Sequence, residues 1–114
     1  MAVTVYGLLR SAQGFADQAK VFQLYAGATL IDEFDNGGVA MMDSQIVSSN
    51  ARAKLKSGIS PVFNVPAGTT ITEVRVSNGE ASNNVMATIP ISVSSYANAG
   101  TYTITSLYVN YANV

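Results

Sequence analysis

Residues 59–77 read ISPVFNVPAGTTITEVRVS. Two runs rich in Val, Ile and Thr, 59–65 and 69–77, flank Pro66-Ala67-Gly68, and that pattern predicts two strands joined by a turn. Pro61 marks an edge strand or a strand start, because proline has no N–H to give to a ladder. In the second run Thr70, Thr72, Val74 and Val76 alternate with Ile71, Glu73 and Arg75, a period of two that assigns the sets to opposite faces.

The same grammar extends in both directions. Residues 50–57, NARAKLKS, alternate Arg52, Lys54 and Lys56 with Ala53 and Leu55, so a strand with one solvated face is expected there. Residues 21–25 and 29–34 flank Ala26-Gly27-Ala28 as a hairpin. Asp35-Asn36-Gly37-Gly38 is the strongest turn signal of the chain, with a strand over 39–48 after it. Beyond residue 77, Asn78–Asn84 reads as a polar loop and 85–89 as a strand. Pro90 interrupts that strand, and 91–94 continues it. Residues 101–111 are expected to form the longest strand. Its apolar parity slips between Tyr102/Ile104 and Leu107/Val109/Tyr111, which calls for a bulge near Thr105-Ser106 or for cover on both faces. Upstream, Val5, Leu8, Leu9, Ala12, Phe15, Ala16 and Ala19 lie on one helical stripe with Thr4 as N-cap. An extended arm over 2–9 is the alternative, since Gly7 and Gly14 each cost a helix about 1 kcal/mol. The expected fold is mainly β: a small antiparallel β-sandwich over residues 20–114, with a short N-terminal helix or arm over 1–19.

Composition restricts function. The 114 residues contain no Cys, His or Trp, and only 11% are charged, with a net charge of −1. The usual nucleophilic thiol, the imidazole base and soft-metal ligands are absent. No Gly-rich phosphate loop or serine-triad motif occurs, so no catalytic, cofactor or metal residues are assigned and no enzyme is expected. Asp32, Glu33 and Asp35 resemble a cation-binding cluster, but their spacing is not that of a calcium loop, and a solvated hairpin end is the expectation. Glu73 and Arg75 share a strand face and are expected to pair there or across strands. Arg52, Lys54 and Lys56 form a basic stripe without the aromatic interleaving or broad field that nucleic acid requires. Neither nucleic acid nor membrane is expected as a partner. Leu8-Leu9 runs straight into Arg10, so no signal-peptide core is read, and folding in a cytoplasm is expected. Tyr96, Tyr102, Tyr108 and Tyr111 cluster late in the chain. Tyrosine serves interfaces and glycan platforms, so these four join Arg52, Lys54 and Lys56 as candidate partner contacts.

The stretch VFNVPAGTTITEVRVSNG (62–79), followed after a polar loop by NVMATIPISVSSYANAGTYTITSLYVNY (84–111), resembles small virion proteins of tailed bacteriophages. Residues 66–74 and 98–104 carry the likeness, and the opening VTVYGLLRSA is similar to their N-terminal segment. The resemblance implies a non-enzymatic structural subunit of a phage particle, made in the host cytoplasm. A capsid decoration (cement) protein on the capsid exterior is favoured, bound to the major capsid protein or other virion proteins, as a homo-oligomer with a trimer favoured. A tail or connector subunit and a carbohydrate-binding β-sandwich module are the alternatives.

Overall fold

The computed structural model describes residues 4–79 and 85–111. Helix α1 (Val5–Gln18) comes first. Strands β1 (Val21–Ala26), β2 (Thr29–Asp35), β3 (Met42–Val47), β4 (Asn50–Leu55) and β5 (Val62–Val65) follow. Then come β6 (Thr69–Ser77), β7 (Val85–Tyr96), β8 (Gly100–Thr103) and β9 (Tyr108–Tyr111). The strands pair antiparallel into a four-stranded sheet β2-β1-β6-β7, a three-stranded sheet β3-β4-β9 and a ribbon β5-β8. The sheets pack together, and the fold is mainly β with one helix near the N-terminus.

The helix forms where its apolar stripe and its cap agree. The Thr4 hydroxyl accepts from Gly7 N at 3.2 Å, satisfying one of the first-turn N–H groups. Leu8, Ala12 and Ala16, four residues apart, are buried on one face. Gly14 lies on the solvent side, with open space where a Cβ would stand. The stripe is mostly alanine, and the strand beneath it is alanine as well: Ala51 and Ala53 of β4 are fully buried. Small side chains on both surfaces let α1 lie close against the three-stranded sheet. At the sheet edge Ser44 donates to Gln13 Oε1 at 2.6 Å and ties the helix to β3.

One hydrophobic cluster spans the three sheets. Phe22 and Leu24 from β1, Val74 and Val76 from β6, and Phe63 and Val65 from β5 meet Met41, Met42, Ala53, Leu55, Ile104 and Leu107. Burying a side chain the size of Phe, Leu or Met is worth about 1.5–3 kcal/mol, so this cluster carries most of the favourable energy. A second cluster of Leu8, Ala12 and Ala51, flanked by Leu9 and Tyr111, seats the helix.

Several features depart from the local reading. The Asp35–Gly38 turn does form, with Gly37 and Gly38 at φ of 67° and 82°. It does not close a hairpin, because β2 and β3 belong to different sheets. The expected two-face alternation in β6 fails at Thr72. The register with β7 slips between Ile71 and Glu73, so Ile71 joins Val74 and Val76 in the core. Thr72 itself turns onto the β1–β2 turn, accepting from Gly27 N at 2.9 Å and donating to Tyr25 O at 3.4 Å. Pro90 does not end β7, which is 12 residues long and the longest strand, but the ladder to β6 does slip directly after it, leaving Ile91, Ser92 and Val93 without register partners. That strand lies at the sheet edge, where a proline costs no ladder bond. Residues 101–111 are two strands: β8 pairs with β5, and β9 pairs with β4. Ile104 and Leu107, in the connection between them, both enter the core, which accounts for the parity slip. The polar loop expected over Asn78–Asn84 lies mostly outside the described residues.

Candidate functional site

The three-stranded sheet has two unlike faces. Met42, Ser44 and Ile46 of β3 stand opposite Leu55, Ala53 and Ala51 of β4, and Ala53 and Ala51 stand opposite Val109 and Tyr111 of β9. These residues share the face that α1 covers. The intervening residues share the other: Asp43 opposite Lys54, Gln45 opposite Arg52, and Tyr108 and Asn110 opposite Lys54 and Arg52 in turn. The second face is open, with Asp43, Val47, Tyr108 and Asn110 exposed. The period-two basic stripe therefore does what it predicts for Arg52 and Lys54. Lys56 falls one residue past the end of β4, where its backbone N–H donates to Met41 O at 2.9 Å and extends the β3–β4 pairing by one step.

This open face is an organised surface. The Arg52 guanidinium carbon lies 3.9 Å from the centroid of the Tyr108 ring, in cation–π stacking. Its Nε donates to Gln45 Oε1 at 2.9 Å, which fixes the plane of the guanidinium. The Tyr108 phenol is held below its ordinary pKa by a hydrogen bond from Ser106, then by the positive charges of Arg52 and Lys54. Next to it is a depression of about 140 Å³ lined by Lys54, Leu55, Thr105, Ser106, Leu107 and Tyr108. It offers one ammonium and three hydroxyl groups above an apolar floor, which suits a carboxylate or another small anion. Compared with protein families, curated proteins and solved structures, the chain matches none.

The other candidate tyrosines do different work. Tyr96 donates its hydroxyl to Thr101 O at 3.1 Å across the β7–β8 turn, where its ring edge would lie 3.1 Å from any Cβ at Gly100. Tyr102 and Tyr111 are half-buried, Tyr102 against the main core and Tyr111 against the helix cluster. Burial pushes both phenols up, helped at Tyr102 by Tyr96. The structure brings Tyr108, Arg52 and Lys54 together, sets Lys56 directly after the end of β4, and leaves Tyr96, Tyr102 and Tyr111 elsewhere.

A second polar surface lies on the outer face of the four-stranded sheet, along the row Glu33, Gln23, Arg75 and Thr88. Gln23 is fully buried and donates from Nε2 to Glu33 Oε2 at 3.1 Å. Glu73 and Arg75 do pair, at 2.6 Å, and the guanidinium also stacks 3.7 Å above Tyr25. Gln23 and Gln45 had no signal in the sequence, because only cross-strand register gives each its neighbours; Ser106 reaches Tyr108 from two residues earlier, in the connection before β9. The acidic turn is engaged locally. Asp32 accepts from Glu33 N and Asn64 N at 2.9 and 2.7 Å, and Asp35 accepts from Gly37 N at 2.9 Å. Among the described residues there is no group of three or more side chains able to hold a metal ion. None of their helices is long and apolar enough to cross a membrane.

Proposed function

We propose that this protein is a non-enzymatic structural subunit of a tailed-phage particle, of the capsid-decoration type, that works by burying an exposed sheet face against its neighbours. The observation that carries the reading is the open face of β3-β4-β9, where Arg52, Lys54, Tyr108 and Gln45 are preorganised as a contact surface. Tyrosine and arginine are the residue types that dominate interface hot spots. The resemblance of residues 66–74 and 98–104 to small virion proteins supplies the setting.

Size refines the reading. Two strands of six residues and one of four, at about 3.3 Å per residue and about 4.8 Å per strand, span about 250 Å². A stable interface buries about 800 Å² on each side, so this face alone makes a weak contact. A weak contact becomes useful when it is repeated, as on a lattice of identical sites. A protein that binds the assembled shell and not its free subunits stabilises the shell by mass action.

The test is quantitative gel analysis of phage particles purified from cells that make the chain, and of particles assembled without it. A copy number comparable to that of the shell protein, and a shell that disassembles at lower temperature once the chain is removed, are expected. A copy number far below the shell protein's assigns it to the tail or connector. Absence from the particle overturns the reading.

A further inference from the structure

We propose that the open face of β3-β4-β9 receives the acidic edge strand β2 of a second copy of this chain, in a head-to-tail contact. The inference rests on the contact-protein reading above and names the neighbour.

Charge on this chain is sparse and segregated. Three of its seven acidic residues are Asp32, Glu33 and Asp35, and three of its six basic residues are Arg52, Lys54 and Lys56. The first group sits on or beside β2, an edge strand of the four-stranded sheet, and two of the second lie on the open face of the other sheet. Among the described residues the one salt bridge joins Arg75 to Glu73, so neither group has an ion-pair partner among them. Glu33 and Asp35 are exposed, and their local hydrogen bonds hold them in place while leaving lone pairs free. Leu30, exposed on the same strand, supplies an apolar anchor. Exposed Val47 and Tyr108 give it an apolar surface on the receiving face. The depression beside Lys54 is large enough for a carboxylate side chain, with Thr105 as a hydroxyl donor. Among the described residues Asp43 is the one acid on the receiving face, opposite Lys54, and leaves that face net positive.

Because donor and acceptor surfaces lie on different sheets, the contact is heterologous. Successive copies therefore build either a closed ring or an open chain. The face is smaller than the area a stable interface buries, so a single contact is weak.

Sedimentation velocity on the isolated protein at low and high salt tests this without reference to any particle. Wild type is expected to associate reversibly, more weakly in high salt. Arg52→Glu with Lys54→Glu makes the face acidic, and Glu33→Lys with Asp35→Lys makes the edge basic. Each double variant is expected to associate about tenfold or more weakly, since like charges then meet. Mixed in equal amounts, the two are complementary at both contacts, and association is expected to return. Circular dichroism checks that each variant is folded; where one is not, Arg52→Gln/Lys54→Gln and Glu33→Gln/Asp35→Asn replace them, with weakened association expected from each. Wild type that stays monomeric at millimolar concentration in low salt overturns the proposal. So do variants that associate like wild type, or a mixture of folded charge-reversed variants that does not associate.

Discussion

Replacing Ala12 by Leu puts an isobutyl group where a methyl fills the space between helix and sheet. Ala12 is fully buried and packs with Leu8 and Ala51. Leu is nearly as good a helix former as Ala, so the helix itself loses almost nothing. The cost is overpacking, about 1–3 kcal/mol. An unfolding entropy of about 2.1 cal/mol/K per residue gives about 0.24 kcal/mol/K for 114 residues, so the melting temperature falls by about 4–12 °C. Arg10→Leu, at an exposed position of the same helix, is the control and should barely move it. Leu8→Ala opens a hole in the same cluster and costs about 2–5 kcal/mol alone. The double variant Leu8→Ala/Ala12→Leu should then be more stable than the sum of the two losses, by about 0.5–3 kcal/mol of coupling. Thermal and urea unfolding followed by circular dichroism measure all four proteins. Ala12→Leu melting no lower than Arg10→Leu, or strict additivity in the double variant, would refute close helix–sheet packing.

In an alkaline titration followed by tyrosinate absorbance, Tyr108 should ionise below the ordinary phenol value near 10, and Tyr102 and Tyr111 above it. Arg52→Ala should move Tyr108 upward. The raised phenols contribute stability that is whole below pH about 10 and is lost as pH climbs through their folded values. Tyr108 acts oppositely, adding stability as pH rises through its lowered value toward 10. Two glycines should respond to alanine with opposite signs in urea unfolding. Gly68, at φ 78°, should lose about 1–2 kcal/mol from left-handed strain. Gly14, helical with open space around it, should gain about 0.5–1 kcal/mol.

What the sequence made legible was local. The helix and its Thr4 cap, the hairpin turning at Gly27, the turn at Pro66–Gly68 and the solvated stripe of Arg52 and Lys54 all follow from neighbouring residues, and all are present. What stayed hidden was pairing between distant segments. Residues 101–111 look like one strand because β-propensity is continuous along them. Only the presence of two different partners, β5 and β4, breaks the run in two. The slip at Thr72 is likewise invisible until the β1–β2 turn stands above it to take the hydroxyl. At the candidate site the basic residues and Tyr108 were readable as types. Their stacking, and the separation of Tyr108 from the other three tyrosines, depended on which strand β9 joins.

The seating of β9 beside β4 also governs the order of assembly. Ala51 and Tyr111 are partners although roughly sixty positions separate them, and contacts that distant make folding slow because the loop must close before they form. The three-stranded sheet that supports α1 is therefore incomplete until residue 111 arrives. Until then the outer edge of β4 has only β3 as a neighbour and is open to the wrong strand, including one from another chain emerging nearby. In the folded protein the link between β8 and β9 is itself pinned by burial of Ile104 and Leu107, which holds β9 beside β4.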